Sequence, residues 1–263
     1  MNASSAMAGL SEGRMCQPPP LDVSVLGRVD VRVDGRPLRV GRTKSMELLV
    51  YLALHDGGVD TDRLWEALWP GRAMSAAVLH TTVSVARRSL RERTDGPPLV
   101  SDARGGRVYE LNARTRLDWD EFERLVGQWC APPTVAVSSL ASALDLVRGA
   151  PFTSAAPGSY DWARGHRADM EEAIGSVAAR LGEALLERGD AIGARRAARG
   201  GLRGAPYDER LYRVLMRAAH LADHAAGVES VMHELTDVLG VDLDDTEGCT
   251  QDLYRDLRRG PSV

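Results

Sequence analysis

The sequence has no apolar run approaching 18 residues, so it offers nothing long enough to cross a membrane as a helix. Its three cysteines, Cys16, Cys130 and Cys249, are odd in number and far apart. That spacing supplies neither a disulfide framework nor a zinc site. Residues 1–20 lack the basic head and continuous apolar stretch of a secretory signal and read as a disordered tail. A reduced, cytoplasmic protein is the expectation. Lysine is almost missing too, since Lys44 is the only one and every other basic side chain is arginine.

Catalytic motifs are equally scarce. There is no Gly-x-Ser-x-Gly elbow and no paired CxxC. The stretch Gly41-Arg42-Thr43-Lys44-Ser45 has Thr43 where a phosphate-binding loop needs glycine. His220 and His224 share an i, i+4 spacing that could hold a metal, but no carboxylate motif accompanies them, and a solvated surface is the simpler reading. The acidic loop of Asp242, Asp244, Asp245 and Glu247 lacks the turn glycine of a calcium hand. The expectation is a protein with no catalytic residue, no cofactor and no metal.

What the chain does hold is an uneven charge. The total is −4 over 263 residues. Residues 21–125 carry 17 basic against 16 acidic side chains, and residues 126–263 carry 15 against 20. Within 73–117 the balance is 8 to 4 in favour of arginine. For phosphate binding, this local excess matters more than the sum.

The first half opens with period-two alternation. Leu21, Val23 and Val25, then Val29, Val31 and Val33, lead into an Asp34-Gly35 turn before Leu38 and Val40. Such a pattern predicts a small antiparallel sheet with one buried face. From Thr43 the period becomes helical, with Met46, Leu49, Val50, Ala53 and Leu54 on one stripe, ended by Gly57-Gly58. Asp60 or Thr61 can cap a second helix with Leu64, Trp65 and Leu68 inside, stopped at Trp69-Pro70-Gly71. A third helix over 75–91 turns Leu79, Val83, Ala86 and Leu90 inward. Leu99-Val100 and Val108–Leu111 then form a hairpin whose tip is Ser101–Arg107.

Sheet, three helices and hairpin is the order of a winged helix-turn-helix, whose last helix enters the major groove of double-stranded DNA. Helical steps of 100° place Ala77, Thr81, Ser84, Val85 and Arg88 outward, flanked by His80, Arg87 and Arg91. Arg104 and Arg107 at the hairpin tip suit a neighbouring phosphate or minor groove. Arginines on a helix surface are ordinary by themselves. Their place on the third helix, beside a basic-tipped hairpin, is what favours DNA contact.

The second half repeats. At an offset of 34 residues Leu181 meets Leu215, Ala184 meets Ala218, Ala191 meets Ala225 and Gly193 meets Gly227. Two helix pairs, 176–188 with 190–203 and 207–222 with 224–239, give the tetratricopeptide period. Upstream, Asp120–Trp129 and Thr134–Arg148 form an earlier pair. A helix containing Tyr160 and Trp162 follows a Pro/Gly interruption, and Gln251–Arg258 caps the stack. Such a solenoid is a surface for protein contact. The division is therefore a tail over 1–20, an α+β winged helix-turn-helix DNA-binding domain over 21–115, and an all-α tetratricopeptide-like domain over 116–263.

The run from Val23 to Leu257 resembles the Streptomyces antibiotic regulatory protein family in its small form. The matching stretches are VSVLGRVDVRVDGRPLRV, GRTKSMELLVYLALH, DRLWEALWPG, LHTTVSVARRSL, LVRGAPF, DERLYRVLMRAA, ELTDVLGVDLDD and LYRDL. That family joins an OmpR-type winged helix to a bacterial transcriptional activation domain. The resemblance implies activation through short direct repeats upstream of a promoter, bound by a homodimer lying side by side. It also implies contacts with RNA polymerase including its sigma subunit. It assigns base reading to His80, Thr81, Ser84, Val85 and Arg87, a wing contact to Arg104, and phosphate contacts to Arg42 and Lys44. Where members often carry Arg followed by Leu, this chain has Val85 and Ala86. The change removes a possible bidentate base contact worth about 1–3 kcal/mol of discrimination. A second reading stays open, a protein-interaction scaffold whose winged helix has degenerated and whose helical repeats bind a partner.

Overall fold

The first hairpin forms because its turn tolerates left-handed backbone. Asp34 and Gly35 have φ of 50° and 73°, the two-residue geometry whose twist matches that of the strands it joins. It links β2 (Asp30–Val33) to β3 (Arg36–Pro37), and β2 pairs antiparallel with β1 (Pro20–Ser24), Leu21 opposite Val33 and Val23 opposite Val31. The computed structural model describes residues 20–55, 57–92, 100–103, 107–111, 114–130, 133–153 and 158–259. Most of the N-terminal tail thus lies outside the described residues, while Pro20, assigned to that tail, is already paired in β1.

Helices α1 (Thr43–Ala53), α2 (Thr61–Leu68) and α3 (Ala76–Arg91) follow, with the short β4 (Val59–Asp60) between the first two. Helix α1 is buried on more than one stripe. Leu48 through Ala53 are all buried, because the three-helix core lies on one side and aromatics from the C-terminal half on another. Asp60 caps α2 by accepting from the amide of Arg63 at 2.9 Å. The stacked rings of Trp65 and Trp69, and Trp65 Nε1 donating to the Arg72 carbonyl at 2.8 Å, fasten the turn into α3.

The wing is β5 (Val100–Ala103) with β6 (Val108–Leu111), and β4 joins it as a third strand beside β6. The chain then returns to the first sheet as β7 (Arg114–Leu117), which pairs parallel with β1 to give the order β3-β2-β1-β7. The first sheet is therefore mixed rather than antiparallel. An edge strand reading Arg-Thr-Arg-Leu buries only Leu117 and has no alternation by which to be recognised.

The C-terminal half packs α4 (Asp118–Val126), α5 (Pro133–Asp145), α6 (Arg164–Leu186), α7 (Ala191–Leu202), α8 (Glu209–Leu239) and α9 (Gly248–Arg259). Tyr160, at φ 60°, precedes a single 3-10 turn that runs directly into α6. The helix expected to contain Tyr160 and Trp162 is thus only this turn at Asp161–Ala163, and the helix expected from 176 already begins at Arg164 and runs 23 residues. Close crossings use glycine. A Cβ on Gly182 would stand 2.6 Å from Val214 Cγ1, and one on Gly201 2.4 Å from Ala178 Cβ.

Helix α8 is helical over 31 residues where two helices were expected. A straight rod of that length extends about 46 Å. Yet the Glu247 amide donates to both carboxylate oxygens of Glu209, at 3.1 and 3.0 Å. The eight residues after Leu239 span at most about 28 Å. Arg199 pairs with Glu234, which lies within electrostatic range of Tyr212, and Leu215 and Val231 line one cleft. These pairs are centred near position 223. The element therefore doubles back there, and its two limbs pack as the expected hairpin.

The halves share one apolar core. Asp118 bolts them together, accepting from the amides of Val25 and Leu26 at 2.8 and 3.2 Å and from Arg148 Nη2 at 2.6 Å. Backbone bonds from Arg148 to Leu26, Phe152 to Val25 and Thr153 to Gly27 extend the clamp. Among the described residues no helix is long and apolar enough to cross a membrane.

Candidate nucleic-acid interface

Helix α3 is positioned by its buried face. Leu79, Val83, Ala86 and Leu90 are each 2% exposed or less. Ser45 of α1 is fully buried and donates to the Thr82 carbonyl at 2.9 Å, a polar pin between the two helices. At the N-terminus Ser75 occupies the cap position without a side-chain bond, and no acidic residue stands in the first turn. At the C-terminus Arg88 and Arg91 complement the helix dipole.

The opposite face is open. His80, Thr81, Ser84 and Arg88 are exposed, and Val85 is half-buried. The Thr81 hydroxyl donates to the Ala77 carbonyl at 2.7 Å, and that of Thr82 to Val78 at 2.9 Å. Ser84, Arg87, Arg88 and Arg91, with Glu92, surround a shallow notch on the last two turns. Four side chains there give it a net positive rim, because only Glu92 opposes three arginines.

Arg87 sits differently from its neighbours. It is half-buried, and Nε donates to the Val100 carbonyl at 2.8 Å. Its guanidinium braces the base of the wing against α3 instead of standing clear in the groove-facing strip. The wing is braced from below as well, since the amide and hydroxyl of Thr61 both donate to the Arg107 carbonyl, at 2.9 and 3.1 Å. Arg107 is exposed at the end of β6, and Arg104 lies outside the described residues.

The two residues at the start of α1 also separate. Arg42 is exposed at the cap position, where its carbonyl accepts from the amides of Ser45 and Met46. Lys44 Nζ is 3.0 Å from Glu47 Oε2, whose side chain is 1% exposed. The lysine charge is therefore partly engaged in stabilising a buried carboxylate. Sequence reasoning missed two exposed apolar residues beside this face, Met74 at 49% and Val78 at 43%. The signal existed for Val78, which stands one helical step from the outward Ala77.

Elsewhere the candidates for other chemistry do not converge. His220 is half-buried on α8, contrary to the solvated surface expected, and the side chain of His224 lies outside the described residues. Among the described residues no group of three or more His, Cys, Asp or Glu is placed to hold a metal ion. Glu247 of the acidic loop pairs with Arg213 at 2.6 Å, which holds its carboxyl below the usual range.

The family model for the bacterial transcriptional activator domain matches residues 117–258, more than half of the chain. Among solved structures the chain is similar to Mycobacterium tuberculosis EmbR in complex with a low affinity phosphopeptide. The TM-score is 0.64 at 20% sequence identity, over 92% of this chain and 66% of that one. At that identity the likeness shows the fold alone, a winged helix followed by tetratricopeptide-like helices. The chain spans just under two thirds of that structure's length. No curated protein matches the sequence.

Proposed function

Because the chain belongs to the bacterial transcriptional activator domain family, and so is a transcription regulator, we propose that it binds promoter-upstream DNA through α3 and its wing. It then acts as an activator by presenting its helical half to RNA polymerase and the sigma subunit. The observation carrying this reading is that the polar strip of α3 stays exposed after the two halves have packed together. The helical half lies against the opposite side of the domain, at α1 and the loop after β1. A rigid joint would hold the polymerase-facing helices at a set distance from the duplex. The resemblance of the sequence adds the arrangement, with two copies side by side on direct repeats.

In this reading Arg88, Arg107 and Arg42 meet phosphates, the uncapped N-terminus of α3 faces the groove, and Arg87 holds the wing. His80, Thr81, Ser84 and Val85 lie where base edges would be. Lys44 contributes less than Arg42 because Glu47 competes for it. A gel-shift titration of the full chain against its own upstream region tests the proposal. Affinity falls steeply as salt rises from about 50 to 200 mM if phosphates are neutralised. Combined Arg88→Ala and Arg107→Ala substitution removes retention. Salt-insensitive or absent retention, together with a captured protein partner, would point to the scaffold reading.

A further inference from the structure

We infer that α3 reads thymine through its C5 methyl group, so that the target carries A·T pairs where the first turns of the helix meet the major groove. The inference rests on the proposed DNA contact and adds the kind of base that is read. Base edges are contacted chiefly by the N-terminal residues of a recognition helix. Over 76–86 the sequence is AAVLHTTVSVA, without arginine, lysine, amide or carboxylate. The bidentate pairings that identify guanine or adenine, and the carboxylate that accepts from cytosine, are therefore missing from this stretch.

The hydroxyls narrow the choice further. Thr81 is exposed, but its hydroxyl turns back along the helix to donate to the Ala77 carbonyl. That leaves the γ-methyl as the group Thr81 offers outward. Ala77 is exposed beside it, Val78 is 43% exposed one step away, and Val85 continues the same edge two turns on. Together they form an apolar edge on a helix whose other flank is His80, Arg87 and Arg91. Alanine and threonine methyls are the natural contacts of the thymine methyl, the one apolar group on a base in the major groove. Neither nearby arginine competes for that position. Arg87 is held at Val100, and Arg88 lies seven residues beyond Thr81, about 10 Å along the axis.

The test begins with selection of binding sites for the full chain from random duplexes. Each thymine of the selected site is then replaced by uracil, which removes only the methyl. Replacement at a contacted position weakens binding about three- to fivefold, the effect of burying one methyl group. Thr81→Ser weakens the thymine site by a similar factor and abolishes the difference between thymine and uracil at its own position. Thr81→Val keeps both. Selective binding that ignores the methyl, or selection of guanine and cytosine at these positions, overturns this inference and leaves the DNA-binding proposal standing. No sequence-selective binding overturns both.

Discussion

Arg87 and Arg88 are neighbours in sequence with separate tasks. A guanidinium on a carbonyl in a half-buried setting contributes to folding, since a bond from a charged donor is worth about 1.5–3 kcal/mol net. Arg87→Ala should therefore lower stability by roughly 1–2 kcal/mol and loosen the wing, visible as an earlier denaturant midpoint. Arg88, exposed on the strip, should leave the midpoint unchanged when replaced by alanine. It should instead weaken DNA binding evenly across sequences and reduce the salt slope by about one. Equal midpoints for the two variants would show that the Val100 contact carries no weight. The sequence placed both arginines beside the outward face correctly. It held no sign that one of them would turn to a strand 13 residues ahead, because a helical wheel gives direction at Cβ and a long side chain chooses its own end point.

At the level of helices and strands, the crossings in the C-terminal half are set by absence of side chains. Gly201 on α7 has Ala178 and Leu211 so close that an added Cβ would stand 2.4 and 2.8 Å away. Gly201→Ala should destabilise by about 1–3 kcal/mol through overpacking. Gly165, in the first turn of α6, has nothing within 4 Å of an added Cβ, so Gly165→Ala should stabilise by about 0.5–1 kcal/mol from helix propensity alone. Thermal melts of the two variants check the contrast, and movement in the same direction would contradict it. The 34-residue offset made the repeat legible through Leu181 on α6 and Leu215 on α8, both buried. The doubling of α8 was legible from the repeat, which divides 207–239 near position 223. Leu221 to Gly227 contains no proline, and Gly227 is its one residue of low helix propensity, so little in the stretch announces a reversal.

Across the molecule, the two halves meet at aromatic rings as well as at Asp118. Tyr51 stacks on His55 at 4.3 Å and meets Trp162 edge-on at 4.8 Å, while His166 stands 6.1 Å from His55. Burial holds His55 below its ordinary value of 6.5, the Arg63 and His166 charges add to that, and its bond to the Tyr51 carbonyl opposes it. A histidine with a depressed folded pKa binds fewer protons folded than unfolded. Stability is therefore lost as pH falls from about 6.5 toward the folded value. Urea midpoints of the wild-type chain should drop over that window, and His55→Asn should flatten the drop. An identical pH profile in the variant would remove this joint as the cause.

Alone, the sequence determined the first hairpin, the three helices that follow it and which face of 76–91 is polar. These follow from local period, caps such as Asp60, and turns such as Asp34-Gly35. Only the tertiary structure decided that β7 closes parallel on β1 and that Asp118 clasps the Val25 amide, 93 positions away. It also decided that the polar face of α3 stays uncovered. The physical reason is that periodicity reports how much of a segment is buried, whereas partners distant in the chain are chosen by the shape and unpaired polar groups of the assembled whole.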